Sequence, residues 1–368
     1  MTAALAWLYA PKLGTFHNWL ERSTRLETYG RAPQEEQSRM RIGLIGTGRI
    51  GAIHAETLRP LVDELLLYDI DDVRSKEVAE RLGAELAPSV EVVLEASEAV
   101  VIASSAETHV PLLHRAAEAG IAAFCEKPIA LDLESSWSAV EAVERAGIPV
   151  QIGFQRRFDQ GYRAIRDQVA TGELGTVYVL RHVSHDYETP PETYVAGSGG
   201  IYRDNLIHDW DVARYITGEE VEEVYATGSV LVADYFATHG DVDTAVAVLR
   251  FTSGTLGLVS AVRYDPVGYD VRVEVFGSKS TVAAGWNERT PVVPADPGTA
   301  PPDDPYRTWT SRFGQAYRAE MEAFLELVES GKQGIAATAH DAHQALRVAE
   351  ASVLSRREDR AVRLEEVP

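Results

Sequence analysis

From Gly46 the chain reads "GTGRIG", and no other stretch limits its fold so tightly. An apolar run, Ile42 to Ile45, precedes it, and apolar residues at helical spacing follow. The pattern predicts a strand, a tight turn carrying G-x-G-x-x-G (Gly46, Gly48, Gly51), and a helix whose positive end can cradle a pyrophosphate on backbone N–H groups. A glycine triplet alone says little, but here a second buried strand, "LLLYDID", follows and places Asp69 about 20 residues on, where a carboxylate accepts ribose hydroxyls. Such a carboxylate repels a 2′-phosphate, and the nearest following basic residue is Arg74. NAD is therefore expected, NADP less so, with Arg49 and Ile50 of the loop among the cofactor contacts.

Strands and helices go on alternating as far as "PVQIGF", which implies a parallel sheet with right-handed crossovers. Ser104, Ser105 and Thr108 follow the strand "AVVIAS" at the edge where cofactors bind; contact with a dinucleotide and simple helix capping suit them equally. Beyond residue 155 the period changes to two in "TVYVLRHVSHDYE", "TAVAVLRF", "TLGLVSAVRY" and "DVRVEVFG", with a hairpin signal at "TSG". The expected fold is α/β: a Rossmann dinucleotide-binding domain over 40–155, then a C-terminal α/β domain over 156–368 with a large open, mainly antiparallel sheet. Residues 1–39 read as an extension, because Met40 opens the first strand and is itself a plausible start.

The net charge is −21 and the composition is rich in acids, so the basic footprint of a nucleic-acid or anionic-membrane binder is missing. No apolar run reaches the ~20 residues that a membrane helix needs. A single cysteine, Cys125, rules out an intrachain disulfide and a cysteine zinc cage. A cytoplasmic protein with a small-molecule ligand is expected.

Two segments carry candidate chemistry. In "FCEKPIALD", Glu126 and Lys127 end a buried strand on the edge that holds the glycine loop, and Pro128 constrains the lysine's backbone. In "YRDNLIHDWDVARYITG", Asp204 and His208 stand four apart, the spacing of one helical face, where a carboxylate can orient an imidazole. Gly199 and Gly200 upstream let the loop approach a ligand. The rivals for this acid-rich segment are a metal site and a solvated helix face. No H-x-x-x-H or cysteine set is present, and His340 and His343 would join only by coincidence of folding, so no metal is expected.

The motifs "GLIGTGRIG", "EKPIAL", "QIGFQRRFD" and "GGIYRDNLIHDWDVARYITG", in that order, resemble the Gfo/Idh/MocA oxidoreductases, and within them the inositol 2-dehydrogenases and related cyclitol or sugar dehydrogenases. The resemblance implies catalysis by Lys127, Asp204 and His208, with Glu126 near the cofactor and Arg156 and His185 near the substrate. It also implies a homodimer or homotetramer acting on a polyol or sugar. Two other readings of the same family stay open: a dinucleotide-binding sensor without turnover, and an NAD-dependent glycosidase.

Overall fold

Short runs of Val, Ile, Leu and Ala, buried on both faces, build the first sheet of the computed structural model, which describes residues 40–367. The expectations for residues 1–39 lie outside the described residues. Six parallel strands, β1 (Arg41–Ile45), β2 (Glu64–Tyr68), β3 (Glu85–Leu86), β4 (Ala99–Ile102), β5 (Ala122–Glu126) and β6 (Val150–Gly153), lie in the order β3-β2-β1-β4-β5-β6. Helices on both faces explain why these strands lack alternation. Strand order reverses between β1 and β4, so the loops that follow them open onto one crevice, the position where α/β sheets bind ligands. Local chemistry bounds the helices as the sequence suggests. The Asp71 side chain caps the helix Asp72–Leu82, which ends at Gly83 in the left-handed region.

The second sheet contains β7 (Val177–His185), β8 (Val221–Ser229), β9 (Thr244–Phe251), β10 (Leu256–Val262), β11 (Asp270–Gly277), β12 (Thr281–Ala284) and β13 (Val362–Arg363). Their order is β12-β11-β7-β10-β9-β8-β13, antiparallel throughout except for the parallel pair β7 and β10. Along β9 the side chains of Ala245, Ala247, Leu249 and Phe251 point into the core, whereas Val246 and Val248 are exposed. The helices Ile207–Thr217 and Ala339–Glu358 supply the other side of that core. The opposite face of the sheet is open and presents Tyr178, Tyr225, Val246, Val248, Leu256 and Leu258.

Two features depart from the periodicity reading. The helix Trp309–Ser330 returns to the first sheet, where Met321, Phe324 and Leu327 share a core with Leu44, Val101 and Phe124. Ile152 N–H of β6 then donates to the Ala337 carbonyl at 2.8 Å. The second departure concerns the segment 202–216, which is not one helix. Ile201–Asp204 and Ile207–Thr217 are separate helices, and Asn205, at the break, turns its side-chain amide to Asp186 at 2.9 Å.

Candidate active site

The three loop glycines do different work. At Gly46, φ is +96°, and an added Cβ would lie 2.6 Å from the Ser104 backbone; at Gly51 it would lie 1.8 Å from the Gly46 carbonyl oxygen. Both are therefore packing glycines. An added Cβ at Gly48 would meet nothing within 4 Å, so the space before the mouth of the helix Arg49–Leu58 is open. Backbone N–H groups at such a helix start suit a pyrophosphate.

Asp69 departs from the picture of a bare carboxylate. It accepts from Thr47 N–H at 2.6 Å, Thr47 Oγ1 at 3.0 Å and Arg74 Nη2 at 2.9 Å. Burial alone would raise its pKa, but the Arg74 bond and the backbone N–H groups of Asp71 and Thr47 outweigh it and hold the carboxyl below its usual range. Ser104 and Thr108 join their hydroxyls at 2.6 Å, and neither Ser105 nor Thr108 caps a helix with its side chain. Arg49 lies over the Trp309 ring at 5.7 Å, and Ile50 packs against the core.

Glu126 ends β5 and is buried. Its Oε1 lies 2.7 Å from His54 Nε2, and its Oε2 accepts the Lys127 N–H at 3.0 Å. A Cβ on Gly153 of the neighbouring strand would lie 3.0 Å from this carboxylate, so glycine there makes its room. The Lys127–Pro128 bond is cis. From this turn Lys127 Nζ donates to the Asp204 carbonyl oxygen at 3.2 Å and lies 3.6 Å from Asp204 Oδ1. The same Oδ1 accepts from Tyr194 OH at 2.8 Å, and Oδ2 accepts from Arg263 Nη2 at 2.8 Å. Burial works against the charged carboxylate, yet Arg263 and Lys127 outweigh it and leave the Asp204 pKa lowered.

The expected orientation of His208 by Asp204 is corrected by the break between their helices. No hydrogen bond joins them; Asp204 is engaged by Tyr194, Arg263 and Lys127, while His208 Nδ1 is sealed from solvent without a partner. The imidazole stands edge-on to Phe154, with ring centroids 5.8 Å apart. Burial, then the positive charges of Lys127 and Arg156, push its pKa well below the ordinary value, so the ring is neutral at physiological pH.

Arg156 is also corrected. It is only 2% exposed, with Nη1 bonded to Asp209 Oδ2 and Ser184 Oγ, both at 3.0 Å, and Asp209 is paired in turn with His182. Beside it Arg157 grips Asp211 through Nη2 at 2.6 Å and Nε at 2.9 Å. The two adjacent arginines thus answer two of the acids crowded on the apolar helix, which are interior ion pairs and neither a metal set nor a solvated face. His185, at the end of β7, is half-buried; Nε2 lies 3.1 Å from Ser260 Oγ and Nδ1 3.7 Å from Asp265. Among the described residues, His185, Asp265 and Asp270 form the one grouping with metal-like spacing, but Asp270 already holds Arg272 at 2.7 Å. His343 points to Ser136.

Sequence reasoning missed Arg263, Tyr194 and His54. Only Arg263 left a trace, as a charge at the end of the apolar alternation "TLGLVSAVRY". Together these residues set an ammonium, a carboxylate and a neutral imidazole at the carboxyl edge of the parallel sheet, beside a loop shaped for a dinucleotide. Such a set can receive a proton and steady a developing alkoxide.

Residues 40–154 match the family described as "Oxidoreductase family, NAD-binding Rossmann fold", and residues 162–283 the "GFO/IDH/MocA C-terminal domain". A myo-inositol 2-dehydrogenase of Thermotoga maritima is 42% identical over 334 residues, covering 89% of this chain and 99% of the relative. The crystal structure of a probable dehydrogenase from Thermotoga maritima superposes with a TM-score of 0.84 at 40% identity, over 89% of this chain and 100% of the other. A scyllo-inositol dehydrogenase from Lactobacillus casei, solved with NAD(H) and scyllo-inositol bound, gives 0.79 at 26% identity, over 89% and 100% of the two chains.

Proposed function

Because the chain belongs to the Gfo/Idh/MocA oxidoreductase family, we propose that it oxidises a secondary alcohol of an inositol-like cyclitol or related sugar, with NAD as hydride acceptor. The observation that carries the reading is the contact of Lys127 with Asp204 at the edge of the cofactor crevice, close enough to a neutral His208 to depress its pKa. The glycine loop, with Gly48 leaving room, would hold the pyrophosphate, and Asp69 the adenosine ribose. NAD, when bound, supplies the redox chemistry.

The protein's own residues do the rest. His208 takes the hydroxyl proton, and its depressed pKa keeps it ready to do so at neutral pH. Lys127 steadies the oxygen as negative charge builds on it. Asp204 holds Lys127 in place. Half-buried His185 stands at the end of β7 for a further substrate hydroxyl, whereas Arg156 acts from behind the site as a fixed charge. NADH formation across a panel of inositols, aldoses and amino sugars tests the reading. No net NADH with any of them would favour the sensor or glycosidase alternatives.

The open face of the second sheet is the surface we assign to a homodimer or homotetramer, since six large apolar side chains stand on it. No helix among the described residues is long and apolar enough to cross a membrane. With one cysteine, free and buried, the chain suits the reducing cytoplasm.

A further inference from the structure

Arg263 follows the last residue of β10 and is 4% exposed, a costly place for a charge without a purpose. Its Nη2 lies 2.8 Å from Asp204 Oδ2 and its Nη1 3.4 Å from Asp186 Oδ2. Asp204 thereby has one oxygen committed to Arg263 and the other shared by Tyr194 and Lys127. The carboxylate's direction follows from that division. Arg263, at the end of β10, ties it to the second sheet, and the Asp204 backbone carbonyl meets Lys127 Nζ at 3.2 Å.

We propose that Arg263 is a positioning residue for the dehydrogenase reaction, acting through Asp204 to fix the ammonium of Lys127 where the substrate oxygen will stand. The inference rests on the reaction assigned above. The bonds of Arg263 go to Asp204 and Asp186, so it fixes the group that fixes the lysine. Lysine at 263 would keep the charge but lose the fork that reaches two carboxylates at once.

The test measures cyclitol-dependent NADH formation by wild type, Arg263→Gln, Arg263→Lys, Asp204→Asn and the double variant Arg263→Gln/Asp204→Asn, with NAD affinity by fluorescence titration and folding by calorimetry. Arg263→Gln should lower kcat by about 10- to 100-fold with NAD affinity within about 2-fold, and Arg263→Lys should recover part of the loss. In the Asp204→Asn background the same Arg263→Gln change should cost less than about 3-fold, because residues acting as a unit are not lost twice. The double variant leaves no unpaired charge at Asp204, so if Arg263→Gln alone fails to fold, its comparison with Asp204→Asn decides: a loss above about 3-fold there overturns the proposal. A loss of the same size in both backgrounds overturns the proposal, and so does undiminished turnover by Arg263→Gln. A wild type that turns over no cyclitol overturns the dehydrogenase reading itself, and this role with it.

Discussion

His54 Nε2 lies 2.7 Å from Glu126 Oε1, tying the helix that leaves the glycine loop to the residue immediately before Lys127. Both side chains are buried, and the imidazole also meets the edges of Phe124 and Tyr317 at 5.1 and 6.1 Å between centroids. The glycine loop and the Lys127 turn are thus braced against each other inside the protein. His54→Ala should leave Glu126 Oε1 unpaired and cost about 1–3 kcal/mol of stability. Calorimetry would register this as a fall in Tm. An unchanged Tm with normal kcat would dismiss the brace.

Cofactor choice is the second expectation. Asp69→Ser removes the carboxylate that repels a 2′-phosphate and at the same time frees Arg74, which now lies on Asp69 at 2.9 Å. A released guanidinium beside the adenosine ribose is a phosphate ligand. The variant should therefore lose NAD affinity and gain NADP affinity, both read by fluorescence titration. Tighter NADP than NAD binding by the unmodified protein would contradict the role given to Asp69.

For His208 the prediction concerns rate and pH together. His208→Ala should lower kcat by about 10²–10⁴-fold with little change in NAD affinity, and Lys127→Ala should be comparably damaging. Because the folded pKa of His208 is pushed well below 6.5, its acid limb should lie well under neutrality, leaving the rate insensitive to this group near pH 7. The linkage has a definite sign. Unfolded chains bind a proton at His208 near ~6.5 that the folded state refuses, so its contribution to stability is whole above that pH and is lost as the pH falls below it. Stability and rate profiles of wild type against His208→Gln would check both; a rate limb near 6.5 that survives the substitution belongs to another group.

On the open sheet face, Val248→Asp combined with Leu258→Asp places charge on neighbouring strands where both residues are exposed. Like charges at these directly opposite positions should destabilise the monomer modestly, and the homo-oligomer proposed above should dissociate. Light scattering of the variant and the wild type measures this directly. An assembly of unchanged mass would move the subunit contact elsewhere.

What could be read from the chain followed the range of the interactions. The glycine loop, the strand ending in Glu126 and Lys127, and the alternation in β7, β9, β10 and β11 are local patterns, each dictated by a period or a turn. The ion pairs are not: Arg156 meets Asp209 across 53 residues, Arg157 meets Asp211 across 54, and Arg263 meets Asp204 across 59. No spacing rule joins them, and so Arg156 was expected at the substrate and Arg263 was overlooked. The break at Asn205 was hidden for the same reason, since Asp186, the partner of its side chain, lies on the segment after β7. Strand β8 escaped because its inward residues Val221, Val224 and Ala226 do not keep a strict alternation.

That break has a consequence for how such a site can be tuned. On one unbroken helix, Asp204 and His208 would turn as a rigid pair, and any adjustment to the acid would swing the base. With the helix interrupted between them, each is anchored to a different neighbourhood: the acid to Arg263 and Tyr194, the imidazole to the wall formed by Phe154. Changes at positions 194 or 263 would then reset the lysine's anchorage without turning the imidazole, and would reach His208 only through the charge of Lys127 and not through a shared helix.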